Sequence, residues 1–79
     1  MNEYRARFVA KCPSNEVDIC YELAIETTRM ILVERINQTV EKHTRGYHED
    51  IANSLFQELG GVQTLVAEHH GVTITTRRQ

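Results

Sequence analysis

Tryptophan is absent, proline occurs once, glycine four times and cysteine twice. Each scarcity excludes something. Two cysteines, Cys12 and Cys20, are too few for the disulfide framework of a small secreted domain, so free thiols are expected. The longest purely apolar run is Met30-Ile31-Leu32-Val33, far short of a bilayer span, so no membrane partner is expected. The first residues, Met1 to Arg5, lack the apolar stretch of a secretory signal, which makes the cytoplasm the expected location. Positive charge is also in short supply. A net charge of -2 gives no bulk electrostatic reason to bind nucleic acid. Arg77-Arg78 offers a local basic patch, read most simply as solvated charge near a mobile end.

What is present is a folding composition, 41% hydrophobic and 25% charged, with no low-complexity run. Seventy-nine residues make one domain, 1–79. Tyr4, Ala6, Phe8 and Ala10 alternate with Arg5, Arg7, Val9 and Lys11, which predicts a half-buried strand over 4–11. Cys12 to Glu16 is a turn, because Pro13 breaks the ladder and Ser14 and Asn15 favour local side-chain bonds. A second strand is predicted over 17–27, with Ile19, Tyr21, Leu23 and Ile25 inward and Cys20 outward.

The period then lengthens. Met30, Val33, Ile36 and Val40 recur at helical spacing, interrupted by Asn37, and predict a helix to about Lys42 with Thr27 or Thr28 as N-cap. Gly46 suits a left-handed position beyond that helix. A second helix begins near Tyr47, buries Ile51, Leu55 and Leu59, and ends at Gly60-Gly61. Alternation resumes over Val62–His69, and His70-Gly71 makes a tight turn into a strand over Val72–Thr76. The expected fold class is α+β: a two-layer sandwich whose four-stranded antiparallel sheet, in the order ββααββ, carries two helices on one face. Its open edges and bare face predict a homo-oligomer.

Three clusters could carry chemistry. Glu49, at the start of a helix beside His48, can accept two parallel N–H bonds from a planar heterocycle such as a purine or pterin. His48 can donate a bond or exchange a proton near neutral pH, and Tyr47 can stack. The plainer alternative makes Glu49 a first-turn acid complementing the helix dipole, His48 a surface residue and Tyr47 a core aromatic. Cys12 is a nucleophile only if an acid or base reaches it, and Asp18 does so if the turn folds back; otherwise it is a small buried hydrophobe. Glu68-His69-His70 lacks metal-ligand spacing, and neighbouring strand residues diverge, so no metal is assigned. The residues name no cofactor.

With these segments in view, the sequence resembles the tunnelling-fold superfamily, and within it the 7-cyano-7-deazaguanine (nitrile) reductases. Gly46-Tyr47-His48-Glu49-Asp50 with Asn53 is similar to their Gly-x-Phe-His-Glu-Asp segment and following Asn, one residue tighter. Cys12-Pro13 with Asp18 is similar to their Cys-Pro turn and Asp, one residue short, and Gly71-Val72-Thr73-Ile74 to their closing strand. The resemblance implies Glu49 and Tyr47 as ligand-binding residues, and Cys12, Asp18 and His48 as catalytic ones. In that scheme Cys12 adds to a nitrile, Asp18 supplies the proton and His48 neighbours the heterocycle. It also implies a ligand site between subunits whose sheets join into a barrel. The nicotinamide-binding pattern before the first helix is not kept in Ile25-Glu26-Thr27-Thr28-Arg29. A purine- or pterin-binding homo-oligomer is therefore the leading expectation, with a small protein-interaction module, a regulator or phage-type inhibitor, as the alternative.

Overall fold

A computed structural model describes all residues from Met1 to Gln79. The elements run β1 (Asn2–Lys11), β2 (Asp18–Thr27), α1 (Val33–Glu41), α2 (His48–Leu59), β3 (Val62–His69) and β4 (Val72–Arg78). The strands form one antiparallel sheet in chain order, β1-β2-β3-β4, as the alternation predicts. Both helices are inserted between the two central strands and lie on one face, α1 over β1 and α2 over β3 and β4. This is the expected ββααββ sandwich.

The register explains the core. Ala10, Ile19 and Phe8, Tyr21, Ala67, Ile74 and Leu23, Leu65 sit in transverse rows on the helix side. Ile36, Val40, Ile51, Leu55 and Leu59 close over them, and Ile25 and Leu55 are 0% exposed. The opposite face carries Arg5, Arg7, Cys20, Glu22, Thr64, Val66, Thr73 and Thr75 and has no covering layer. Its ion pairs, such as Arg7 with Glu22 at 3.1 Å, are exposed and contribute little to stability.

Helix α2 has no basic residue in its last turn, so its carbonyl end is met from elsewhere in the chain. Arg29 donates to the Leu59 carbonyl at 3.1 Å and Arg35 to the Glu58 carbonyl at 2.9 Å. Gln63, only 3% exposed on β3, donates to the carbonyls of Leu55 and Gly60 at 3.1 and 2.7 Å. Gly61 follows at φ 75°, where a Cβ would lie 2.8 Å from the Glu26 carbonyl; no other residue fits there without moving backbone.

Four local expectations need correction. The first helix starts at Val33, after Met30-Ile31-Leu32, and Leu32 is its N-cap with no side-chain bond. Thr27 instead accepts the Arg29 N–H at 3.1 Å, and the Tyr4 hydroxyl takes the Ile31 N–H at 3.0 Å, which holds this segment out of the helix. Ile31 is thereby buried while Met30 and Val33 are exposed. Gly46 is not left-handed; it donates its N–H to the Lys11 carbonyl at the end of β1, as described below. Arg77 and Arg78 belong to β4 and point to opposite faces, with Arg78 bonded to Asn53 Oδ1 at 2.9 Å.

Candidate functional site

Two short segments build the site. The first is the turn between β1 and β2. Glu16 N–H reaches back to the Cys12 carbonyl at 2.7 Å, and Cys12 N–H to the Val17 carbonyl at 3.0 Å. The turn needs a left-handed residue, Glu16 at φ 58°, and Asn15 Oδ1 supports it by accepting the Val17 N–H at 3.1 Å. The second segment is the chain entering α2. Lys11 donates its N–H to the Thr44 carbonyl at 2.9 Å and accepts the Gly46 N–H at 3.1 Å, a small parallel bridge on the outer edge of β1. That bridge sets Gly46-Tyr47-His48 beside Cys12. Gly46 is also tight, since a Cβ would meet Ile51 at 3.2 Å.

Between them lies a cavity of about 420 Å³ on the helix side of the sheet. Cys12, Tyr21, Tyr47, His48, Glu49 and His69 supply its principal functional groups. Four of the five residues singled out in the sequence thus share one cavity. The fifth, Asp18, does not. It lies opposite Lys11 on the bare face of the sheet, and its carboxylate accepts from Lys11 Nζ at 2.8 Å. The turn folds back, but the strand pleat sends Asp18 away from the thiol. Cys20 also faces the bare side, so the two thiols are on opposite faces and both are free.

The polar groups of the cavity have defined roles. His48 Nε2–H donates to the Leu65 carbonyl at 3.1 Å, which leaves Nδ1 as the unprotonated nitrogen, buried and without a partner. Burial chiefly holds the His48 pKa below its ordinary value; the Leu65 bond and Glu49 oppose this, and Arg78 adds to it. Tyr21 is 2% exposed, lies 5.1 Å from the stacked ring of Phe8 and 5.4 Å from His48. Burial, and then Cys12, push its phenol pKa up. Tyr47 is half exposed rather than a core aromatic, and its hydroxyl lies 3.3 Å from Ser14 Oγ. Glu49 is exposed in the first turn of α2.

Sequence reasoning missed Tyr21, Ser14 and His69. Tyr21 had a signal: it is the one polar-tipped member of an aliphatic inward stripe. His69 and His70 were expected to diverge. His70 instead takes φ 52°, and the two rings stack 4.6 Å apart over Asn15, whose Nδ2 lies 2.9 Å from His70 Nε2. No three His, Cys, Asp or Glu side chains come together as metal ligands.

A pH response follows from the two histidines whose pKa burial lowers, His48 and His43. For His43, between α1 and α2, Glu58 works against that shift and Lys42 with it. The unfolded chain binds these protons first, so the stability gained by neutral rings is present above about pH 6.5. It is lost as pH falls through the lower folded-state values. The melting temperature should therefore drop between pH 7.5 and pH 5.5, as read by circular dichroism. A flat profile across that window would contradict the burial of both rings.

No protein-family model matches the chain, and no curated protein matches it in sequence. A solved structure does match: the crystal structure of the archaeosine synthase QueF-Like in its apo form. The superposition has a TM-score of 0.73 and covers 98% of this chain and 89% of that one, at 16% sequence identity. No helix here is long and apolar enough to cross a membrane. At that identity the likeness is one of architecture, and it establishes that this chain has the tunnelling fold its sequence resembles.

Proposed function

We propose that the chain binds a planar heterocycle of the purine or pterin class in the cavity beside Cys12, with Glu49 as the anchor. The observation that carries this reading is the convergence of Cys12, Tyr47, His48 and Glu49, from two segments distant in sequence, on one concave site of about 420 Å³. That volume is in the range of small-molecule pockets and accommodates a bicyclic ring with room for a substituent. A carboxylate projecting from the first turn of a helix accepts the paired N–H groups of an amidine edge. His48, whose Nδ1 is sealed from solvent, walls the site, and Tyr47 offers a ring to cover the heterocycle. Cys12 sits where a thiol could add to an electrophilic substituent, although Asp18 is not beside it to supply a proton. Ligand binding is therefore better supported than the full reductase scheme.

Copies of the chain are proposed to assemble through the edges of β1 and β4. Those edges and the uncovered sheet face support this, since no layer of the chain satisfies them. The test is titration calorimetry with pterin and 7-deazaguanine, alongside native mass measurement. Saturable heat with either compound, and a mass of several chains, are the expected results. No heat from either would overturn the binding reading, and a monomer at tens of micromolar (an order-of-magnitude working range) would overturn the assembly.

A further inference from the structure

We infer that Tyr21 is the hydrogen-bond donor of the cavity, giving its phenolic O–H to the ring carbonyl of a 2-amino-oxo heterocycle. This rests on the reading of the site above and deepens it by naming what selects the ligand.

A 2-amino-oxo heterocycle presents N–H groups that need acceptors and a carbonyl that needs a donor. Acceptors are supplied by the carboxylates of Glu49 and Asp50, both of which line the cavity. Donors are few. His48 Nε2–H is committed to the Leu65 carbonyl at 3.1 Å. The Ser14 and Tyr47 hydroxyls lie 3.3 Å apart, so one of the two is spent as donor to the other. His69 turns its Nε2 toward the Asn15 amide at 3.5 Å. The Cys12 thiol is a weak donor. None of these hydrogen bonds takes up the Tyr21 hydroxyl, which leaves it as an uncommitted donor on the sheet side of the cavity.

Its setting suits that role. Tyr21 is inward-facing on β2, level with Phe8 on one neighbouring strand and Ala67 on the other. The small Ala67 leaves space beside the ring, and Ala67 itself lines the cavity. Phe8 stacks on the ring at an interplanar angle of 10°, and His48 leans against it at 52°, so the phenol is held in place before any ligand arrives. Burial raises its pKa, so the group stays protonated and a donor throughout the physiological range.

The test compares pterin with 4-thiopterin, in which sulfur replaces the oxygen of the ring carbonyl while the ring N–H and 2-amino group that face Glu49 are kept, against wild type, Tyr21→Phe and Glu49→Gln. Wild type should prefer pterin, because a thiocarbonyl is a much weaker acceptor for the Tyr21 O–H than a carbonyl. Tyr21→Phe, which keeps the ring and its stack, should weaken pterin about tenfold and shrink the preference to roughly threefold or less. An unchanged preference in Tyr21→Phe, with pterin binding lost in Glu49→Gln, would overturn this inference and leave the site reading standing. Wild type that binds neither compound would remove both. The wild-type preference needs no variant, so a Tyr21→Phe protein that fails to fold still leaves a decision: equal affinity for the two compounds would count against Tyr21.

Discussion

Glu49→Gln should lose heterocycle binding by about a hundredfold or more while folding and assembling as wild type does. The amide replaces one carboxylate oxygen with an NH₂ group, so one of two parallel N–H···O bonds becomes a donor facing a donor. The charge that strengthened the other bond is gone as well. Folding is spared because Glu49 is exposed and makes no contact that orders the core. Its favourable interaction with the helix N-terminus is worth only about 0.3–1 kcal/mol, and Asp50 remains in the same turn. Calorimetry reads the loss, and the melting curve and native mass read the unchanged scaffold. Binding within tenfold of wild type would mean that Glu49 is an ordinary first-turn acid.

The largest effect on stability is expected at Leu55. It is 0% exposed in the middle of α2, among the side chains that seal the helix layer onto the sheet. Leu55→Ala should cost about 2–5 kcal/mol, the lost transfer energy plus the cavity left behind. A domain of this length is stable by roughly 4–12 kcal/mol in total, so the variant should melt on the order of 10–20 °C lower or fail to fold. Val33→Ala is the informative control. The helical spacing puts Val33 on the buried stripe, but it is exposed at the start of α1, and its truncation should change stability by no more than about 0.5 kcal/mol. Denaturant unfolding of the two variants separates them. Equal losses would contradict the observed start of the helix.

The alternation of Tyr4 to Ala10, Ile19 to Ile25 and Gln63 to His69 made the sheet legible, because a strand with one covered face writes its pleat directly into the sequence. Gly60-Gly61 marked the end of α2 for an equally local reason. The start of α1 was not legible: it depends on the Tyr4 hydroxyl holding Ile31, a bond across 27 positions that no local pattern encodes. The candidate site divides the same way. Tyr47, His48 and Glu49 were visible as a segment, and Cys12 as a thiol in a turn. Their meeting depends on the Lys11–Arg45 bridge, a tertiary contact. Asp18 was misjudged because spacing measures distance along the chain, whereas the pleat decides the face. Tyr21 was legible as a core residue, and only the cavity around it brings out its hydroxyl.

The meander order of the sheet has a practical consequence. Asn2 pairs with Thr27 and Gln63 with Arg78, so both ends of the chain emerge at one pole of the sheet. The cavity, between the Cys12 turn and the start of α2, lies toward the other pole. The ends stand on strands three spacings apart, about 14 Å. An affinity handle or a fluorophore fused at either end is therefore carried away from the cavity mouth, which makes a surface-tethered biosensor a natural format for ligand screening.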